Sequence, residues 1–413
     1  MAVTTRVTDG WLARLERLRG HIADRVTSGC IPLWLPARDV PAGEPHAVET
    51  PANPRGWLDV EQTSLVLAVE RAAALDLDDT AVRLASLVCA SSYPLNNVTE
   101  LWQRAHDAAL GAARRAGNRL GEAVLVAALG QFRYEQDRYP QARRHLSEAL
   151  GLFRELGHQR GEAATLTALG LACREQGYLP EARHFLERAM TACAVLDDDS
   201  AIGHCARIAG SVYLEQGAID EANASLERAL EAYQRAGSCR GTALTLRTIG
   251  LVHRAAGRLD AAEQVLSEAT TIFRQLGDVK LEGFSLRALA KTHLRMGQLD
   301  RALAVLEPLL VSDRHGRDRW AEAMTLRTLG ELHLSAGRLD RADTCLHGAL
   351  EIFRSLEMPL FAARTQRDIA ELLEARGRHA AAEAARREAL RTFRAYGARE
   401  VTELPCRAAT ETL

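Results

Sequence analysis

Residues 121 to 400 of this chain repeat one forty-residue unit seven times, and this period constrains the fold more than any other feature. One position of the unit always holds a small residue: Gly130, Gly170, Gly210, Gly250, Ala290, Gly330 and Ala370. Twelve positions later every unit has alanine, from Ala142 to Ala382, and four further on six of the seven have leucine. Self-similarity at a period of about 20 to 50 residues is typical of solenoid proteins, whose repeats pack on their neighbours.

Each unit has the pattern of two helices. In the fourth unit the apolar residues from Leu244 to Val252 keep helical spacing, and Gly257 ends that helix. A second apolar stripe runs from Leu259 to Phe273. The residue near the start of this second helix is Pro140, Pro180, Asp220, Asp260, Asp300 or Asp340 in the first six units. Proline suits a first helical turn, and we expect the aspartates to cap the helix and to offset its dipole.

Together these columns resemble the tetratricopeptide repeat (TPR) pattern: Leu-Gly in the first helix, then Ala, Leu and Ala in the second. The resemblance covers residues 121 to 400 and implies an all-α, right-handed solenoid of helix-turn-helix repeats. The units have forty residues where the usual repeat has about 34, and the closing proline is missing. They are similar to the long-helix TPR variant.

Composition and charge narrow the class of protein. The chain is 47% apolar, only 5% aromatic, and carries a net charge of −2 at pH 7, which indicates a soluble, mostly helical protein with no general attraction to nucleic acid or membrane. Eight cysteines occur without a CxxC pair, so neither a zinc site nor a disulfide framework is indicated. No segment has the length and apolarity of a signal peptide or a membrane span, which predicts a cytoplasmic protein.

The chain divides into four predicted segments. Residues 1–56 hold a helix, expected over 9–27 behind a Thr8-Asp9 start, and a proline-rich linker from 28 to 56. Residues 57–120 hold a helix that begins at Trp57 and a degenerate first repeat, in which Trp102 replaces the column alanine and Tyr93-Pro94 interrupts the helices. Residues 121–400 are the seven repeats, and 401–413 are a disordered tail.

A second resemblance concerns the segment at Trp57. Trp57-Leu58, Glu61, Leu65 and Ala68-Val69 resemble the helix that opens the C-terminal TPR region of STAND-type antibiotic-regulatory proteins, which also contain an NB-ARC nucleotide switch and a DNA-binding domain. Residues 11–28 resemble the last helix of the winged-helix module that follows that switch. The resemblance implies the back end of such a regulator, and possible pairing with a separate STAND-type ATPase.

No pattern of catalytic residues is present. The two lysines, Lys280 and Lys291, follow Val and Ala, so neither is the lysine of a phosphate-binding P-loop, and HExxH, GxSxG and GxGxxG motifs are absent. We therefore expect no enzyme activity, cofactor or bound metal. His253, His293 and His333 recur at one position, and we expect them to pack between paired helices with locally bonded ring N–H groups, too far apart to share a metal.

Proline also occurs inside one predicted helix. Pro308 lies in the second helix of the fifth unit, where residues 312–320 replace the usual turn. It should kink or end that helix. A hinge and simple degeneration of the repeat both remain open.

The resemblance to TPR proteins also points to a candidate binding face. In that family the first helix of each repeat lines a concave groove, and the position three before the repeat glycine faces it. That position holds Ala127, Thr167, Arg207, Arg247, Arg287, Arg327 and Arg367, and we call its five arginines the arginine ladder. Neighbouring columns contribute the cations Arg174, Arg254, Lys291 and Arg295 and the apolar residues Leu244, Leu251, Phe284, Leu294, Met324 and Leu334.

Arginines interleaved with apolar side chains suit a segment that is both acidic and apolar. We therefore expect a regulatory scaffold, allied to transcription control, that binds a protein or peptide through this groove. A small-molecule sensor, a purely structural platform and a nucleic-acid binder are the alternatives, the last disfavoured by the near-neutral charge.

Overall fold

The computed structural model describes residues 2–18, 57, 60–89, 99–316, 318–398 and 400–403, and every regular element in these ranges is helical, as predicted. The helices are α1 (Ala2–Arg17), α2 (Gln62–Ala74), α3 (Asp78–Cys89), α4 (Thr99–Ala116), α5 (Arg119–Glu135), α6 (Tyr139–Glu155), α7 (Gln159–Glu175), α8 (Leu179–Val195), α9 (Asp199–Glu215), α10 (Ile219–Arg235), α11 (Cys239–Ala255), α12 (Leu259–Gln275), α13 (Val279–Arg295), α14 (Leu299–His315), α15 (Arg319–Ser335), α16 (Leu339–Ser355), α17 (Pro359–Ala375), α18 (His379–Tyr396) and α19 (Glu400–Glu403). Repeats 1 to 7 are the successive pairs from α5/α6 to α17/α18, and we call the two helices of each pair A and B.

Left-handed residues end the repeat helices. Gly257 follows α11 with a φ of 76°, and Gly277 follows α12 with a φ of 65°. Glycine adopts this conformation easily because it lacks a Cβ, so both predicted stops are confirmed. Where glycine is missing, Asp137, Asp197 and Glu357 take the same conformation, with φ between 51° and 59°.

The residues that cap the helix N-termini are not the ones that the sequence predicts. Helix α12 begins at Leu259 with Arg258 at its N-cap, so Asp260 is the second helical residue and makes no capping bond. The prediction that the aspartate column caps the B helices is therefore wrong, although Asp260 still places its charge in the first turn, near the positive end of the dipole. The side-chain caps belong to A helices: Ser238 Oγ accepts a hydrogen bond from the Gly241 N–H at 3.1 Å, and Asp278 accepts one from Leu281 at 3.1 Å.

These caps predict the effect of a small substitution. Ser238→Ala should destabilise the protein by about 0.5–2 kcal/mol, because the Gly241 N–H loses its acceptor at the start of α11. Ser267→Ala is the matched control, since Ser267 is exposed in the middle of α12, where alanine is the better helix former. Urea unfolding followed by circular dichroism would compare the two, and equal stabilities would contradict the capping role.

The glycine column contacts the leucine column within each repeat. A Cβ built on Gly250 would lie 2.5 Å from Leu266 Cγ, and one on Gly330 would lie 2.5 Å from Leu346 Cγ. The seven alanines of the other column, Ala142 to Ala382, are all fully buried. Short side chains are therefore required where helices A and B of a repeat cross.

A buried aromatic column was missed in the sequence. At one position near the end of helix B stand Phe153, Tyr233, Phe273, Phe353 and Phe393, all buried. Repeats 2 and 5 have Cys193 and Asp313 at this position. A Cβ on Gly241 would lie 2.2 Å from the Tyr233 ring, so this ring packs against the start of the next A helix.

The N-terminal helices differ from their predicted bounds. Helix α1 begins at Ala2, so Thr8 and Asp9 lie inside it and the predicted start is wrong; residues 19–27 fall outside the described ranges. The continuous part of the next helix begins at Gln62, and the Glu61 N–H donates to the Trp57 carbonyl at 3.0 Å. Trp102 is buried and stacks on Phe132, with ring centroids 3.9 Å apart.

Three further predictions concern interruptions and the tail. Helix α14 continues through Pro308 to His315, so Pro308 does not end it. Pro308 and Ala304 are both exposed, so solvent can bond the Ala304 carbonyl that proline leaves unpaired. The proline-rich linker and Tyr93-Pro94 lie outside the described residues. The tail predicted to be disordered over 401–413 is helical over its first three residues, which belong to α19 (Glu400–Glu403), so that part of the prediction is wrong; residues 404–413 lie outside the described ranges.

The chain splits into two compact units. The first comprises Met1–Ala172 and Glu187–Leu196, and the second comprises Cys173–Leu186 and Asp197–Leu413. All of the predicted binding residues of repeats 3 to 7 belong to the second unit. Among the described residues, no helix is long and apolar enough to cross a membrane.

Candidate functional site

The predicted binding residues lie on the A helices of repeats 3 to 7. Each of these helices contributes one ladder arginine, from Arg207 on α9 to Arg367 on α17. The other predicted residues lie at fixed distances from the ladder arginine of their own helix. About one turn before it lie Leu244, Phe284 and Met324. Lys291 lies one turn after it, and two turns after it lie Arg254, Leu294 and Leu334. All twelve residues are half-buried except Arg287, which is buried. The set therefore forms a partly accessible face, which we call the A-helix face.

Arg287 is held inside the protein. One terminal nitrogen donates to Thr325 Oγ1 at 3.1 Å, and the Thr325 hydroxyl donates to Asp313 Oδ2 at 2.7 Å. Asp313 occupies the position of the aromatic column in repeat 5, so this repeat replaces a buried ring with a buried carboxylate. Burial lowers the pKa of Arg287 to about 10, partly opposed by Asp313, and burial raises the pKa of Asp313.

Arg327 and Arg367 share an internal carboxylate. Arg327 Nε donates to Asp368 Oδ2 at 2.5 Å, and a terminal nitrogen of Arg327 lies 3.4 Å from Glu331. Arg367 Nε lies 3.8 Å from the other oxygen of Asp368. Burial opposes the charge on Arg327, but the Asp368 and Glu331 carboxylates together outweigh burial and raise the pKa of Arg327 above its ordinary value. The charge at this end of the ladder is therefore largely balanced within the protein.

In the part of the chain that the structure describes, no carboxylate pairs with Arg207 or Arg247. The Nε atoms of both are shielded from solvent and have no hydrogen-bond partner among the described residues. Burial is the main cause that lowers the pKa of Arg247 to about 10, and the neighbouring Arg207, Arg287, Arg254 and Arg174 add to it. Arg247 thus remains a cation at neutral pH, in a strongly positive and poorly solvated position.

The other predicted cations have partners. Arg254 donates to the Ala288 carbonyl at 3.1 Å, and burial lowers the pKa of Arg254. Lys291 Nζ lies 2.6 Å from a Glu331 oxygen. These two residues are less available to a ligand than Arg207 and Arg247.

Aromatic rings separate the cations. Arg247 and Arg287 lie over Phe284, with guanidinium carbons 5.3 Å and 5.2 Å from the ring centroid. Trp320 packs edge-on against Phe284, with ring centroids 5.4 Å apart, and Lys280 Nζ lies 5.1 Å from the centroid of the Trp320 ring. Cation–π contacts of this kind contribute about 0.5–2 kcal/mol, so Phe284 holds Arg247 in place without neutralising its charge.

The histidine column has no metal-binding geometry. Among the described residues, no group of three His, Cys, Asp or Glu side chains could hold a metal ion. Arg258 Nε donates to His253 Nδ1 at 3.0 Å. His293 and His333 are buried, as expected. His293 Nε2 lies 3.4 Å from a Glu263 oxygen, so the His253 and His293 rings both have local partners, whereas Nδ1 of His293 and Nδ1 of His333 have no hydrogen-bond partner among the described residues.

Family comparison agrees with the repeat geometry. A family model described as "Tetratricopeptide repeat" matches residues 122–194, 204–275, 241–307 and 321–395, which is more than half of the chain. The chain belongs to the tetratricopeptide repeat family. A second model with the same description matches residues 287–346. Both TPR models describe a repeat and not a catalytic domain.

Solved structures share the TPR fold at low sequence identity. The Rap conjugation gene regulator of the plasmid pLS20, in complex with the Phr* peptide, has a TM-score of 0.57 and 14% identity, covering 83% of this chain and 97% of that one. A Rap protein complexed with competence and sporulation factor has a TM-score of 0.56 and 14% identity, and the match covers 82% of this chain and 98% of the Rap protein. Aspartyl phosphate phosphatase F from Bacillus subtilis has a TM-score of 0.55 and 11% identity, and the match covers 83% of this chain and 96% of the phosphatase.

No curated protein matches the sequence of this TPR protein. The likeness of residues 11–28 and of the Trp57 segment to STAND-type regulators is not confirmed by these matches and stays a prediction.

Comparison of equivalent positions in the TPR repeats predicted the arginine ladder, but it missed the carboxylates that balance part of the ladder's charge. Asp368 lies directly after Arg367 and pairs chiefly with Arg327 of the previous repeat, 41 residues away. Asp313 departs from a column that is otherwise mostly aromatic, and this departure was the available signal. Trp320 was read only as part of an irregular turn, although it lies against Phe284.

Proposed function

We propose that this TPR protein is a non-catalytic regulatory scaffold that binds an acidic and apolar segment of a protein or peptide on its A-helix face. The observation that carries the proposal is Arg247, a half-buried guanidinium that lies over Phe284 and whose shielded Nε has no hydrogen-bond partner, and which pairs with no carboxylate, among the described residues. A cation shielded from water costs free energy until an anion pairs with it. A ligand carboxylate would supply that pairing, and the half-buried Leu244 and Phe284 would contact its apolar side chains.

Two further arguments support this proposal. One protein of the same fold was solved with a peptide, and it is described as a gene regulator, which agrees with a peptide-binding role linked to transcription control. The likeness of the Trp57 segment to STAND-type regulators suggests a separate ATPase of that class as the protein partner, in the cytoplasm.

A peptide array tests the proposed function. The full chain would be incubated with immobilised peptides of varied sequence, and we expect the bound peptides to be enriched in acidic and apolar residues. Arg207→Gln combined with Arg247→Gln should weaken binding about 100-fold, since each lost charge pair costs at least tenfold. Raising the salt concentration should weaken wild-type binding as well. Arg287 is unsuitable for charge reversal, because a glutamate there would face Asp313.

The control variant keeps the same change in net charge. Arg228→Gln with Arg391→Gln removes two exposed arginines from B helices and should bind as the wild type does. A single-stranded oligonucleotide belongs among the probes, because arginines alternating with aromatic rings also suit unpaired bases. Preference for the oligonucleotide, or array binding that survives loss of Arg207 and Arg247, would contradict the proposal.

A further inference from the structure

Three aromatic side chains form a row across the A helices of repeats 5, 6 and 7. Phe284 on α13 lies edge-on to Trp320 on α15, with ring centroids 5.4 Å apart. Trp320 is in turn edge-on to Phe361 on α17, with 5.8 Å between the ring centroids. All three rings are half-buried. The row therefore connects three consecutive repeats along the A-helix face.

The first ring of this row lies under two ladder arginines that are fixed to different degrees. Arg287 is held by its hydrogen bond to Thr325 and is only 5% exposed. Among the described residues, Arg247 pairs with no carboxylate and its Nε has no hydrogen-bond partner. The guanidinium carbon of Arg247 lies 5.3 Å from the centroid of Phe284. The orientation of this guanidinium therefore depends on the orientation of the Phe284 ring.

The two neighbouring rings are particular to one place in the array. Phe284 is the only Phe, Tyr or Trp at its position of the repeat, where the other units have Val124, Ala164, His204, Leu244, Met324 and Arg364. Trp320 is likewise alone at its position, where the other units have Leu120, Arg160, Ser200, Arg240, Lys280 and Leu360. The repeat pattern requires neither ring, so their contact beside Arg247 calls for a reason other than the fold.

We propose that Trp320 is a positioning residue for ligand binding, which acts through Phe284 to hold the Arg247 guanidinium in the orientation that receives a ligand carboxylate. This inference rests on the proposed function and deepens it. A half-buried phenyl ring turns about its side-chain bonds unless a neighbour restricts it. The edge-on contact with Trp320 supplies that restriction, because aromatic pairs prefer this geometry. Arg287, 6.0 Å from the Trp320 centroid, lies beside both rings.

A direct contact between Trp320 and the ligand would have a different signature. An indole that touches the apolar part of a ligand contributes equally to the binding of acidic and neutral peptides. A positioning residue acts through one charge, so its loss weakens the binding of acidic peptides alone. That effect also disappears once Arg247 has been removed.

Two blocked peptides measure this difference, one composed of Leu, Ser and Glu and the other with Gln in place of every Glu. Fluorescence anisotropy with the full chain gives the ratio of their dissociation constants, which we call the acid preference. Trp320→Leu should lower the acid preference about fivefold, the factor that one cation–π contact represents, whereas Trp320→Phe should preserve it. In an Arg247→Gln background, Trp320→Leu should lower it no further. An acid preference that Trp320→Leu leaves unchanged, or lowers further in that background, would overturn the inference.

Phe361→Leu is the matched control. It removes the ring on the other side of Trp320, and leucine stands at the equivalent position of repeat 5, as Leu281. Leucine also stands at the position of Trp320 in repeat 7, as Leu360, so both substitutions introduce a residue that the fold already contains there. Phe361→Leu should keep the acid preference of the wild type, and an equal loss would contradict a specific role for Trp320. If Trp320→Leu does not fold, Trp320→Met takes its place.

A measurement without any ligand separates this inference from the proposed function. The Nε–H signal of Arg247 in a nuclear magnetic resonance spectrum, identified by its loss in Arg247→Lys, is shifted by the ring current of Phe284, over which the guanidinium lies. Trp320→Leu should move this signal in the same direction as Phe284→Leu does. A signal that Trp320→Leu leaves in place would overturn the inference whether or not any peptide binds. A moved signal, with no acidic peptide retained on the array, would instead refute the proposed function and with it the role in binding.

Discussion

Leu266→Ala is expected to destabilise the protein by about 2–5 kcal/mol. Leu266 is fully buried, and its side chain fills the space left by Gly250 on the facing helix of repeat 4. Truncation removes buried methyl groups and leaves a cavity, because the two helices cannot move together without disturbing the neighbouring repeats. Denaturant unfolding of the full chain would measure the loss, and Leu226→Ala in repeat 3 should behave alike.

The facing glycine provides a stricter test of this contact. Gly250→Ala places a Cβ where Leu266 Cγ is 2.5 Å away, so it should destabilise the protein by about 1–3 kcal/mol. In a Leu266→Ala background the same substitution should cost much less, because the colliding atoms are gone. Strictly additive losses would mean that the crossing can adjust without this contact.

The features that could be predicted from sequence depend on residue type or on the period. Gly257 and Gly277 mark helix ends because few other residues adopt positive φ cheaply. The Gly and Ala columns locate the crossings because any larger side chain would collide there. Comparing seven copies of the unit makes such requirements visible as columns.

The missed features depend on contacts between particular repeats. Thr8 and Asp9 have the composition of a helix start, yet they lie inside α1. The ladder is uniform in sequence from Arg207 to Arg367, but its members differ in charge balance, because only some face an acid on a neighbouring element. Aligning the repeats shows the residues that all of them share. The candidate site, in contrast, depends on a difference in charge balance between repeats 3 and 4 and repeats 5 to 7.

Asp313→Ala should cost about 3 kcal/mol, the lower end of the range for removing one partner of a buried charge pair, because Thr325 lies between the two charges. Asp313 is the acid that acts most strongly on Arg287, with Asp318 adding to it, and Arg287 is only 5% exposed. Without Asp313, a buried guanidinium loses its main countercharge and cannot move into water. Thermal and denaturant unfolding at neutral pH would measure the loss.

Removing both charges should restore much of the lost stability. The ladder position holds Ala127 and Thr167 in repeats 1 and 2, both buried, so a neutral residue is compatible with this site. Arg287→Met in the Asp313→Ala background should therefore be more stable than Asp313→Ala alone, with a coupling free energy of about 0.5–3 kcal/mol. Additive losses would show that Arg287 does not depend on Asp313. The double variant should also bind acidic peptides as the wild type does, since a charge already balanced inside the protein contributes little to an external ligand.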